Sequence, residues 1–194
     1  MNAIPGSRSC LYDGAELEVL LDRMALQAAQ LLQGRSRVAL IGILRRGAPL
    51  ADRLTERLVR DHGLVPPLRL DLKVKRYADD LTLLHPDTAL TESPQQAALD
   101  LAGWTLLLVD DVLYTGHSLL RVLDYLARQQ PAEIRVAVLV DRCAATLPIH
   151  ADVVGARLQI APAGIVECHL PPYEPDFRIE LLQPQRAGRV PARE

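Results

Sequence analysis

The sequence predicts an α/β fold, an open and mostly parallel sheet flanked by helices with a small hood of late strands, and three observations carry that prediction. Val38 to Ile43, Leu106 to Val109 and, with Arg135 as its one charge, Ile134 to Val140 are short apolar runs of the kind that fills strands buried on both faces. Amphipathic segments of helical period follow the first two runs, the order expected of strand–helix units. Charged or turn-forming residues stand at the end of each run, most densely from Asp110 to Gly116. At 194 residues with 49% hydrophobic and 24% charged residues, a single domain over residues 1–182 is expected, with 183–194 as a flexible tail.

Taken in order, Asp13 and Glu16 have the spacing of a capping box, and Leu17, Leu20, Leu21, Met24, Ala28, Leu31 and Leu32 form an apolar stripe closed by Gly34. Val38 to Ile43 is a strand, Leu44 to Gly47 a basic turn, and Pro49 to His62 a helix stopped by Gly63. Leu68, Leu70, Leu72 and Val74 alternate with Arg69, Asp71 and Lys73, which predicts a strand with one wet face. Residues 78–100 are polar and too long for an ordinary connector, which leaves a functional lid or a hairpin with local structure, and the lid is the preferred reading. The run from Leu106 ends in Asp110 and Asp111, and from Gly116 onward Leu119, Val122, Leu123 and Leu126 recur at helical spacing until Pro131. Asp141 and Arg142 stand at the carboxyl end of the Ile134 strand. Gly164 to Leu170 and Phe177 to Leu181 alternate as late strands outside the main sheet.

The formal net charge of −2 gives no general attraction to nucleic acid, and 20 of the 22 basic residues are Arg. Cys10, Cys143 and Cys168 are odd in number and lack metal or redox spacing, which suits a reducing cytoplasm. Apolar runs fall far short of membrane-spanning length, and the first residues lack a signal-peptide pattern. A cytoplasmic protein without a membrane partner is expected.

Residues 106–118 carry the chemistry. Backbone N–H groups from Thr115 to Ser118, with the two hydroxyls, suit a phosphate at the positive end of a helix. Asp110 and Asp111 are acceptors only, suited to ribose hydroxyls, Mg²⁺ or a cationic sugar, and repel a phosphate placed on them. Read singly, these are solvated strand-end carboxylates and an ordinary helix cap. As the ordered set of strand, acid pair, Thr-Gly turn and helix they point to a sugar-phosphate site. A phosphoryl-accepting receiver domain also pairs aspartates at a strand end, but after its first strand and with a downstream lysine. Here about half the chain precedes Asp110, and Lys73 and Lys75 both lie upstream.

The assembled motifs resemble the type I phosphoribosyltransferases, whose signature is a strand, two acidic residues and a Thr-Gly turn. The likeness is strongest to the branch of pyrimidine operon regulators that double as uracil phosphoribosyltransferases. It rests on DDVLYTG (Asp110–Gly116), GILRRG (Gly42–Gly47), YADDLT (Tyr77–Thr82), AVLVDR (Ala137–Arg142) and LPIHADVVG (Leu147–Gly155), in order, and covers roughly residues 13–182. The resemblance implies that Asp110 and Asp111 hold the ribose and help place Mg²⁺, and that Thr115, Gly116, His117 and Ser118 bind the 5′-phosphate of phosphoribosyl pyrophosphate. It implies pyrophosphate binding by Arg45, Arg46 and Gly47, and a lid beginning at Tyr77, Asp79 and Asp80. Asp141, Arg142 and Tyr114 border the base. Purine-using relatives tend to carry Asp where Tyr114 stands, so a pyrimidine is implied, with uracil and UMP as ligands and a dimer or tetramer as the assembly.

The chain departs from the pattern at several positions. The usual TGRT is here TGHS, with His117 in place of a permanent charge, and Ala78 removes a basic group from the lid. Cys143 to Thr146, His150 and Ala156 replace mostly basic or polar residues of the branch's RNA-binding face, while Glu18, Val19 and Leu31 stand on the first helix where a basic regulator can carry Arg. RNA affinity leans on Lys and Arg contacts to phosphate, so weak RNA binding is expected. Three readings stay open at this point: an enzyme making UMP, a UMP-sensing RNA-binding regulator with little catalysis, and an enzyme for another base.

Overall fold

The computed structural model describes residues 6–73 and 99–185. Its elements in chain order are β1 (Gly6–Tyr12), α1 (Gly14–Leu32), β2 (Val38–Leu44), α2 (Gly47–His62), β3 (Leu68–Lys73), β4 (Thr105–Leu113), α3 (His117–Ala127), β5 (Glu133–Asp141), β6 (Val153–Arg157), β7 (Ile165–His169) and β8 (Arg178–Pro184). Five strands form one sheet of order β3-β2-β4-β5-β6, and every pairing in it is parallel. The remaining three form an antiparallel sheet of order β1-β8-β7, the hood. The expected α/β class is the observed one.

Period-two alternation along β4 explains why its apolar run is continuous. Leu107 and Val109 face α1 and α2, packing with Leu17, Leu21, Met24, Leu50 and Leu54, while Leu106 and Leu108 face α3, packing with Leu119, Val122 and Leu126. Cys168, Leu170 and Ile179 of the hood join the first of these cores. The Asp13 side chain accepts from Glu16 N and the Glu16 carboxylate accepts from Asp13 N, both at 2.9 Å, so the capping box forms at the start of α1. Caps of this kind stabilise by about 1 kcal/mol. Gly63 ends α2 in the left-handed conformation, with φ of 65°.

Several boundaries differ from the sequence reading. Helix α2 begins at Gly47 rather than Pro49, and Pro49 sits in the first turn, where a missing N–H breaks no helical hydrogen bond. Strand β4 does not stop at Val109: Asp110, Val112 and Leu113 pair with Val138, Val140 and Asp141 of β5, so the acid pair lies inside the strand. Strands β1 and β6 went unforeseen, the first because its residues are mostly exposed and the second because it is only five residues long. Strand β8 passes the expected domain end at 182, since Gln183 and Pro184 pair with Ser7 and Gly6. Residues 74–98, which hold nearly all of the expected lid, and 186–194 of the expected tail lie outside the described residues.

Two glycines bring α2 against the sheet. A Cβ on Gly42 of β2 would lie 2.6 Å from Ala48 Cα, and one on Gly47 would lie 2.4 Å from the Val109 carbonyl oxygen and 3.2 Å from Asp110 Cα. Only a residue without a side chain permits that approach. Gly47→Ala is expected to destabilise the fold by about 1–3 kcal/mol through overpacking. The check is a fall in the denaturation midpoint with unchanged slope, and a midpoint equal to that of the parent would show the contact to be slack.

Candidate active site

The carboxyl ends of β2, β4 and β5 converge on one edge of the parallel sheet, and the turn after each strand supplies one part of the site. Asp111 is buried and its Oδ1 accepts from Val112 N at 3.0 Å, while Asp110 Oδ1 accepts from Asp111 N at 2.9 Å. These bonds set the orientation of two carboxylates whose remaining lone pairs are acceptors. Gly47 places the start of α2 against the backbone of Asp110, so the basic turn at Arg45 and Arg46 stands beside the acid pair.

Arg46 is gripped from the hood. Its Nη2–H and Nε–H donate to the two oxygens of Glu174 at 2.5 and 3.3 Å, and Glu174 Oε2 also accepts from Leu170 N at 3.0 Å. Burial alone would push the Glu174 carboxyl up; the hydrogen bonds from Arg46 and Leu170 and the Arg46 charge outweigh it and hold the group below its ordinary range. For Arg46 burial acts against the charge, yet Glu174 and the nearby Asp111 raise its pKa. The adjacent Arg45 guanidinium lies over the Tyr173 ring, 4.8 Å from its centroid. Cys168 lies beneath this cluster, and burial, followed by the negative charge of Asp111, drives its thiol well above the ordinary value, so it stays protonated.

On the opposite flank, Gly116 takes a φ of 88° and caps α3 with no side-chain hydrogen bond, which leaves the first turn's N–H groups facing outward. The His117 ring pairs through Nδ1 with Thr115 Oγ1 at 3.1 Å. Thr146 N and Oγ1 both donate to the Thr115 carbonyl, at 3.1 and 3.4 Å, and Arg142 N donates to the Leu113 carbonyl at 3.0 Å. The loop after β5 is thereby fastened to the Thr-Gly turn.

Arg142 follows the last residue of β5, and its guanidinium is committed to backbone carbonyls. Its side chain is only 3% exposed, it donates to the carbonyls of Gly164, Ile160 and Ala161 at 2.6, 3.4 and 3.4 Å, and it stacks 4.8 Å from the centroid of the Tyr114 ring. The guanidinium therefore clamps the 158–164 loop. Asp141 accepts from Cys143 N at 2.8 Å and has Arg157 3.7 Å away.

Of the expected site residues, the structure gathers Asp110, Asp111, Tyr114 to Ser118, Arg45 to Gly47, Asp141 and Arg142 along the one edge. Tyr77, Asp79 and Asp80 lie outside the described residues. Tyr173, Glu174, Cys168 and Thr146 were missed. They come from distant segments with no spacing that links them to the Thr-Gly motif, and the stretch Leu170 to Asp176 reads in sequence only as a proline-rich turn.

Comparison with known proteins agrees with this layout. The family model of the phosphoribosyl transferase domain matches residues 7–172. Bifunctional protein PyrR of Deinococcus radiodurans is 35% identical over 179 residues, covering 92% of this chain and 96% of the relative. The PyrR proteins of Elusimicrobium minutum and Thermus thermophilus are 37% and 34% identical, covering 89% and 91% of this chain and 95% and 97% of theirs. Among solved structures, the hypoxanthine phosphoribosyltransferase of Trypanosoma cruzi superposes with a TM-score of 0.70 at 20% identity, covering 91% of this chain and 97% of that one, which shows the shared fold. With a strand-borne acid pair, a Thr-Gly turn opening a helix and relatives of this similarity, the chain is a phosphoribosyltransferase and belongs to the PyrR family.

Proposed function

We propose that this chain transfers the phosphoribosyl group of phosphoribosyl pyrophosphate to uracil, forming UMP and pyrophosphate with Mg²⁺, and that it works as a homo-oligomer. The observation that carries the reading is the seating of the basic turn at Arg45–Gly47 directly against the Asp110–Asp111 strand, the same strand that leads through the Thr-Gly turn into the start of α3. Anion sites thereby flank a pair of carboxylates, as a substrate with phosphate at one end, pyrophosphate at the other and a ribose between them requires. The carboxylates offer the hard oxygen donors that Mg²⁺ prefers. When bound, the ion would offset charge on the pyrophosphate.

In this reading the bond from C1 to pyrophosphate breaks early and the ribose becomes oxocarbenium-like, so catalysis is positioning plus electrostatics. Asp110 and Asp111 orient the ribose hydroxyls and favour the cationic sugar. Arg45 and Arg46 attract the departing anion, and arginine suits that task because it keeps its charge and presents a planar fork. Tyr114, at the position where purine-using relatives carry Asp, leaves a purine nitrogen without its partner and favours the pyrimidine. The backbone of the 158–164 loop, clamped by Arg142, is the base-reading edge.

The regulatory reading has less support. Glu18 of α1 pairs with Arg53 and Arg57 of α2, and Arg57 also pairs with Asp22 at 2.9 Å, so these charges tie two helices together and two arginines are spent inside the protein.

Supplying uracil, hypoxanthine and guanine separately with phosphoribosyl pyrophosphate and Mg²⁺ is expected to give UMP from uracil alone; product from a purine would overturn the base assignment. Asp111→Asn preserves size and the acceptor for Val112 N but removes the charge, and is expected to lower UMP formation by about 100-fold or more. Its thermal midpoint should stay near that of the parent, and an equally active variant would remove Asp111 from the site. For a pyrimidine-operon leader RNA the expectation is weak binding whose affinity falls steeply with salt. Tight binding at near-physiological salt, read in a titration, would refute it.

A further inference from the structure

The turn that joins β7 to β8, residues 170–177, reaches the leaving-group loop at two adjacent points. Tyr173 lies under Arg45, and Glu174 takes the Nε and Nη2 edge of Arg46 with both carboxylate oxygens. That edge is the one a phosphate uses for paired hydrogen bonds to arginine. Glu174 is held ready for the task by Leu170 N, which donates to Oε2 from within the same turn. Two anions cannot share one guanidinium edge: the same two N–H groups would have to serve both, and the carboxylate would repel the newcomer.

We propose that Glu174 is a built-in competitor for the leaving-group site, holding Arg46 in the ligand-free chain and yielding it to pyrophosphate, so that it sets the affinity for pyrophosphate and speeds its release. The inference rests on the proposed function, because it takes Arg46 to be a pyrophosphate ligand. Its chemistry is an exchange of hydrogen-bond partners with no covalent step. The tethered carboxylate is present at an effective concentration that flexible tethers set at roughly millimolar, enough to oppose a ligand of moderate affinity. Pyrophosphate prevails by its greater charge, and on its departure the carboxylate returns to Arg46. Had Glu174 been a fixed support that aims Arg46 at the ligand, its charge would have to remain against the bound anion throughout.

The test is calorimetric titration of inorganic pyrophosphate, with and without Mg²⁺, into the full chain and its Glu174→Gln variant, alongside steady-state kinetics. Glu174→Gln is expected to bind pyrophosphate about tenfold more tightly, a difference of about 1.4 kcal/mol. Both KM for phosphoribosyl pyrophosphate and kcat should fall, as release slows. Equal or weaker binding by the variant, with the parent binding normally, overturns the competitor role alone. Failure of the parent itself to bind pyrophosphate overturns the leaving-group assignment of Arg46 and the inference with it. A second measurement needs no variant: in hydrogen exchange on the parent chain, pyrophosphate should reduce protection of the 170–177 amides. Unchanged or increased protection marks Glu174 as a fixed support and overturns the proposal.

Discussion

The backbone approach of Gly47 to the Val109–Asp110 peptide is the constraint on which the rest of the site depends. A parallel sheet with helices on both faces ordinarily keeps helix and strand backbones separated by a layer of side chains. Gly42 and Gly47 remove those side chains at one place, and the start of α2 drops onto β2 and β4 there. Two arginines on the preceding turn are thereby set beside two aspartates inside a neighbouring strand. The charges need each other: Asp111 helps keep Arg46 ionised despite its partial burial, and the arginines offset an acid pair that would otherwise repel any phosphate-bearing ligand.

The sheet also divides the protein into two cores of different character. The α3 side closes over strand residues such as Leu106, Leu108 and Val138 and carries the Thr-Gly turn. The α1 and α2 side is shared with the hood, through Cys168, Leu170 and Ile179 and through Arg53 stacked on Phe177 at 4.5 Å from the ring centroid. The Thr-Gly turn and the Arg45–Arg46 turn are therefore supported by separate packing units, joined through β4 and the acid pair it carries.

What the sequence made legible follows the range of the physics involved. Capping at Asp13, the apolar stripe of α1 and the buried runs of β2, β4 and β5 are local patterns, and each appears in the structure with shifted ends. The aspartates were placed at a strand end because two adjacent charges look like an end. In the structure β5 goes on pairing past them, which no local pattern of β4 reveals. Strand β1 was invisible because a mostly exposed edge strand has no periodicity to show. At the site, the residues of the contiguous Thr-Gly motif were readable, whereas Glu174 and Thr146 enter only through contacts with Arg46 and Thr115, each more than 30 residues away. Arg142 was placed beside the base by its motif, and its burial and three carbonyl acceptors, all from a segment more than 15 residues away, are contacts that no local pattern announces.

The register of the hood has a consequence in time. Strand β1 finds its partner in β8, with Gly6 opposite Pro184, and β7 also meets the rest of the hood through β8. As the chain leaves the ribosome, all five parallel strands can assemble while β1 waits, since the strand that completes its ladder is made last among the described elements. The turn bearing Tyr173 and Glu174 becomes anchored at both ends only when that ladder closes. Of the strand pairings, the one with the longest separation in sequence, and so the largest loop-closure entropy, therefore lies in the hood.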